Sequence, residues 1–142
     1  MNLNRAINIA IDAHKELKDK VGKPYITHVM RVMERCKTEE EKIVAALHDV
    51  VEDTSISIDD LRKAGFSEKV LAAVAALTQN KGETKANYIE RVRENPLAIR
   101  VKLNDLEDNM DIRRLPEISD TDVERLRKYL HIYRLLLEDI SK

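Results

Sequence analysis

Apolar residues recur along this chain at intervals of three and four, and no segment alternates strictly between apolar and polar. Leu3, Ile7, Ala10, Ala13 and Leu17 form the first stripe, the period of a helix that turns one face inward. Gly22-Lys23-Pro24 interrupts it, and a second helix is expected to begin near Tyr25 to His28 and run through Val32 and Met33. Thr38 with Glu41 has the form of a capping box; it opens a helix of about 14 residues ending around Glu52-Asp53. Ser57 caps a short helix closed by Gly65, and Ser67 caps another that contains Val70, Leu71, Val74 and Leu77. Thr84 starts a helix through Tyr88, Ile89 and Val92 that stops before Pro96. Residues 96 to 112 continue as a helix with an apolar early half (Leu97, Ile99, Val101, Leu103). Pro116 ends that region, and Thr121 with Glu124 opens a long final helix. The expected fold class is all-α.

Composition narrows the picture. A length of 142 residues suits one domain spanning 1–142, large enough to bury roughly two-thirds of its unfolded surface. Three Gly, three Pro and few aromatics leave little to break helices. The 36% of charged residues would permit disorder, but the 43% hydrophobic fraction, being periodic, opposes it. With 25 basic against 26 acidic residues the net charge is −1, so no global cationic field draws in nucleic acid or an anionic membrane. Cys36 is the one cysteine; it excludes an internal disulfide and fits a reducing compartment. No apolar run approaches the roughly 18 residues of a membrane span, and the N-terminus lacks a signal-peptide layout. A cytoplasmic protein is expected. No linker, repeat or low-complexity tract interrupts the chain, and oligomeric state is left open.

The candidate chemistry begins at His48-Asp49-Val50-Val51-Glu52-Asp53-Thr54, which follows the apolar run Ile43 to Leu47. Burying charge costs several kcal/mol unless a partner or a metal compensates. On a continuous helix, residues 48 and 52, and likewise 49 and 53, lie about 40° apart around the axis. Such a surface offers one imidazole and three carboxylates, material for a metal site with an adjacent acid/base pair. Two distant segments add ligands of the same kind: His28, which closes Gly22 to His28, and Asp105, within Lys102 to Met110. Two imidazoles and two carboxylates suit Mn²⁺, Fe²⁺ or Zn²⁺ rather than a thiolate-preferring ion. On a six-coordinate ion they leave room for water and a phosphate oxygen. Taken singly, each residue has an ordinary structural role; agreement in type, order and spacing is what favours a site. His14 is read as a packed, hydrogen-bonded core histidine.

The succession AHKELKDKVGKPYITH, AALHDVVEDT and VKLNDLEDNM resembles the HD-domain hydrolases of the alarmone type. These are the small stand-alone alarmone hydrolases and the hydrolase half of bifunctional (p)ppGpp synthetase–hydrolases. The likeness runs over roughly residues 6 to 112. It implies an HD-domain helical bundle with Mn²⁺, or alternatively Fe²⁺ or Zn²⁺, held by His28, His48, Asp49 and Asp105. It implies Glu52 and Asp53 as the carboxylates that orient and deprotonate water. It implies Lys20 and Asn109 as contacts to a nucleotide, and removal of pyrophosphate from the 3′ position of (p)ppGpp. Departures fall on recognition. Asp19 stands where the family carries an Arg that stacks on guanine, Leu106 and Asp108 replace an Arg and a His, and Val29 replaces a Pro. An acidic Asp19 would then address the N1 and N2 edge of guanine. Lys23 and Lys81 are further cations, read as solvated. No glycine-rich phosphate loop is present, which disfavours a synthetase or kinase. Two rival readings accompany this one: a phosphatase for another nucleotide, and a non-catalytic nucleotide-binding module.

Overall fold

Helices account for most of residues 2–141, the part of the chain that the computed structural model describes. They are α1 (Asn2–His14), α2 (Ile26–Arg35), α3 (Glu39–Leu47), α4 (Val50–Asp53), α5 (Ile58–Lys63), α6 (Glu68–Leu77), α7 (Lys85–Arg93), α8 (Pro96–Asn109) and α9 (Asp120–Ser141), with a 3₁₀ turn at Ile112–Arg114. Among the described residues there is no β-strand, only an isolated bridge between Lys18 and Pro24. The all-α expectation holds. No described helix is long and apolar enough to cross a membrane.

The centre of the molecule is α3. Ile43, Val44, Ala45, Ala46 and Leu47 are all buried, which a helix achieves only when neighbours cover it on every side. Here α1, α2, α6 and α8 pack around it. Every helix from α1 to α9 contributes at least one buried apolar side chain to the core. The fully buried Leu47, Leu71 and Leu106 each stabilise the fold by about 1.5–3 kcal/mol. The long α9 lies along α8 and touches α7, and only Leu136 of it is fully buried.

Most helix starts fall where the capping residues place them. Ser57 forms a complete capping box with Asp60, and Ser67, Thr84 and Asn95 each accept a backbone N–H from three residues on. Gly65, at φ +100°, supplies the left-handed residue that closes α5. At Thr38 the box is half made: its hydroxyl accepts from the Glu41 N–H, but the Glu41 carboxylate reaches past it to the Lys37 N–H.

Four boundaries differ from expectation. The stripe of α1 stops at His14, and Leu17 lies beyond the helix at 39% exposure. The helix expected to run to Glu52-Asp53 divides at His48-Asp49, where Asp49 adopts φ −102°, ψ −7°, in the bridge region. The cause is local: the His48 ring donates to the Ala45 carbonyl, which a continuous helix would offer to the Asp49 N–H. The α8 helix ends at Asn109 instead of 112, because the Asp111 carboxylate accepts the Arg113 N–H and starts the 3₁₀ turn. The α9 cap is Ser119 with Asp122, not Thr121 with Glu124; their side chains and N–H groups bond reciprocally, which leaves Thr121 inside the helix.

Candidate metal centre and adjoining cavity

Three segments bring the expected ligands together. His28 comes from the first turn of α2, His48 and Asp49 from the α3–α4 turn, and Asp105 from α8. One ligand atom each from His28, His48 and Asp49 lies within 4.8 Å of the others. Asp105 joins them: its Oδ1 is 2.9 Å from His28 Nε2 and 3.5 Å from His48 Nε2. His48 Nε2 is also 3.1 Å from Asp49 Oδ2, yet it has no hydrogen-bond partner among the described residues, because neither contact has hydrogen-bond geometry. A buried polar atom left unsatisfied costs about 1–3 kcal/mol. Its orientation is imposed by the other nitrogen: the Ala45 carbonyl can only accept, so Nδ1 bears a proton and Nε2 faces the cluster. An orphaned imidazole nitrogen beside two carboxylates is a donor set that fits a divalent cation.

Each candidate ligand is held from behind. The Tyr25 hydroxyl donates to Asp49 Oδ2. Lys102 donates to Asp105 Oδ2 at 3.1 Å. Asp108 Oδ2 lies 2.6 Å from His28 Nδ1. Burial opposes a charge on His48, but the carboxylates of Asp49 and Asp105 outweigh it and hold the ring's proton well above the ordinary imidazole range. Burial likewise opposes the charge on Asp105, and Lys102 with the two imidazoles overcomes it, so the carboxyl stays ionised well below its usual range. This is a concentrated set of charges in a water-poor place.

Glu52 and Asp53 occupy the four-residue α4 and are exposed. The Glu52 carboxylate accepts the Gln79 N–H at 2.8 Å, which fixes its outer end. Partial burial, then the nearby Asp49 and Glu52 charges, push the Asp53 carboxyl up to about 6. That is the property of a group poised to take a proton near neutrality.

A cavity of about 240 Å³ opens beside His28, and Lys20, Asp19, Tyr25 and Asn109 line it. Lys20 and Asn109 therefore share its wall with His28. Asp19 does not present a free carboxylate there. Its Oδ1 accepts the N–H groups of Val21 and Lys23 at 3.0 and 2.9 Å, and its Oδ2 is 4.0 Å from Arg114 Nη1. It shapes the loop that Gly22, at φ +82°, allows to turn, and it is committed to that loop instead of to a base edge. Lys23 and Lys81 are exposed and lie outside the cavity lining.

His14 departs from expectation in one respect. It is fully buried and stacks obliquely on Tyr25 with ring centroids 5.1 Å apart, but neither ring nitrogen has a hydrogen-bond partner among the described residues. Burial pulls its proton affinity down, and the ring packs as a neutral core group.

Several residues of the site carry no strong signal in the sequence. Tyr25 and Lys102 each sit three positions before a ligand, a helical neighbourhood that could have marked them. Arg114, Arg125 and Tyr129 also line the cavity; the 3₁₀ turn after α8 carries the first and the packing of α9 against α8 brings the other two, and no local pattern announces it.

Residues 6–134 match the HD domain family. The chain belongs to it. This HD domain is 34% identical to a guanosine-3′,5′-bis(diphosphate) 3′-pyrophosphohydrolase of Aquifex aeolicus, over 76% of this chain and 17% of that protein. It is 38% identical to the Drosophila melanogaster enzyme MESH1, which bears the same name, over 66% of this chain and 56% of the relative. It thus spans under a fifth of the first and little more than half of the second. Its fold is similar to a solved structure described as a metazoan ortholog of SpoT that hydrolyzes ppGpp. There the TM-score is 0.76 at 26% identity, covering 98% of this chain and 85% of the other.

Proposed function

We propose that this HD domain is a divalent-metal-dependent phosphohydrolase that removes pyrophosphate from the 3′ position of (p)ppGpp. The observation that supports the proposal is the convergence of His28, Asp49 and Asp105 on the orphaned His48 Nε2, with Glu52 and Asp53 following in α4 and a cavity opening from His28. The relatives named for this activity support the same reading.

His28, His48, Asp49 and Asp105 would hold the cation, with Mn²⁺ favoured and Fe²⁺ or Zn²⁺ compatible with the same mixed donors. A divalent ion there supplies Lewis acidity toward a phosphate oxygen and makes water acidic enough to act near neutral pH. The chain's own residues do the rest. Asp53, with its raised affinity for a proton, accepts the proton of the attacking water. Glu52, tied to the Gln79 N–H, holds that water in line. Lys20 meets the diphosphate charge, and Asn109 anchors the nucleotide within the cavity. The 240 Å³ cavity takes one end of a nucleotide, while the phosphates extend toward the cluster.

Incubating the Mn²⁺-loaded protein with ppGpp tests this. The expected products are GDP and pyrophosphate. Orthophosphate release, or no turnover, would reject it. The phosphatase reading draws on one observation: Asp19 is bound to its own loop, so the stacking cation of the resembled family has no replacement at that position. Orthophosphate released from another nucleotide would favour it.

A further inference from the structure

Two helix faces meet behind the metal centre. On α2, His28, Arg31 and Arg35 recur at helical spacing; on α8, Asp105 and Asp108 are three apart. The His28 ring is gripped between the two carboxylates, with Nε2 2.9 Å from Asp105 Oδ1 and Nδ1 2.6 Å from Asp108 Oδ2. Asp108 is fully buried. Arg31 meets it in a fork, Nε to Oδ1 at 2.8 Å and Nη2 to Oδ2 at 3.1 Å. Arg35 Nη1 and Arg114 Nη2 stand 3.5 and 3.6 Å away, and Arg114 also donates to the Asp108 carbonyl.

We propose that Asp108 is the positioning residue of His28: it accepts the Nδ1–H, so that the Nε2 lone pair is the one turned to the cation, and the arginines fix the carboxylate that does this. The inference rests on reading His28 as a metal ligand and does not depend on the substrate. A carboxylate serving only as an ion-pair partner would be complete with its arginines. Here the shortest contact is to the imidazole, and it engages the nitrogen opposite the cluster. A carboxylate behind a ligating histidine both selects the tautomer and strengthens the donor, and its loss weakens metal binding by about 10- to 100-fold.

The test combines Mn²⁺ titration of ion-free protein with nitrogen NMR of ¹⁵N-histidine-labelled protein loaded with Zn²⁺. In the wild type, His28 is expected to bind through Nε2 and to show Nδ1 as its protonated nitrogen; the opposite arrangement overturns the proposal without any variant. Asp108→Asn is expected to weaken Mn²⁺ binding by about 10- to 100-fold with an unchanged circular dichroism spectrum, and Asp108→Glu to recover part of the loss. Equal affinity in wild type and Asp108→Asn overturns it. His28→Ala separates the two ways to fail. If that variant loses Mn²⁺ while Asp108→Asn keeps full affinity, the positioning role alone falls. If His28→Ala keeps full affinity, the metal reading falls and takes the positioning role with it.

Discussion

At the cluster, every candidate ligand has a partner behind it. Tyr25 backs Asp49, Lys102 backs Asp105, Asp108 backs His28 and the Ala45 carbonyl backs His48. These partners sit at the start of α2, on α3 and on α8, elements that pack against one another in the bundle. Across the cavity, Lys20 is exposed in a loop, Arg125 and Tyr129 project from α9, and Asp19 spends its carboxylate on its own backbone. In the first region burial holds each charged group to the partners that the packing supplies. The other is assembled from a turn and the flank of a mostly exposed helix, where water competes for every polar group. On the proposed function, chemistry that needs sub-ångström placement would fall in the first region and substrate recognition in the second.

That contrast can be broken most strongly at the ligands. Asp49→Ala should reduce Mn²⁺ affinity and turnover together by more than about 100-fold, beyond the loss of a supporting partner. Calorimetric metal titration and product assays check it, and retained affinity would remove Asp49 from the set. Glu52→Gln should leave Mn²⁺ affinity nearly unchanged and lower kcat by about 100-fold, the scale of positioned acid/base help. Wild-type turnover in that variant would exclude Glu52.

The pH profile sharpens the assignment of Asp53. Its carboxyl is pushed up to about 6, so the ionised form that can accept a proton predominates above that pH and is lost below it. The kcat of the loaded enzyme should therefore fall on the acid side, with the limb at or below about 6, since a bound cation offsets the neighbouring Asp49 charge. Asp53→Asn should abolish both the limb and most of the rate.

The smallest effect belongs to the other region. Asp19→Ala removes two acceptor contacts to the Val21 and Lys23 N–H groups. It should cost about 1 kcal/mol in stability and raise KM a few-fold with kcat nearly unchanged. Thermal unfolding and steady-state kinetics read both, and a large fall in kcat would place Asp19 in the chemistry.

The same contrast explains what was legible in the sequence. Amphipathic period and capping residues mark most of the nine α-helices among the described residues, because those signals act within one turn of chain. The convergence of His28, His48, Asp49 and Asp105 was foreshadowed in the sequence, since ionisable groups set near apolar runs demand a compensating partner. The break at His48-Asp49 was not, because it depends on a ring nitrogen competing for the Ala45 carbonyl. Nor were Arg125 and Tyr129, which reach the cavity only through the packing of α9 on α8. The unpartnered nitrogens of His14 likewise follow from tertiary burial, which no local pattern encodes.

The most direct measurement is a crystal structure of the protein grown with Mn²⁺ and phased to show the metal's anomalous signal. A single peak is expected within about 2.0–2.3 Å of His28 Nε2, His48 Nε2 and carboxylate oxygens of Asp49 and Asp105. A peak elsewhere, or one that leaves His28 unengaged, would contradict it.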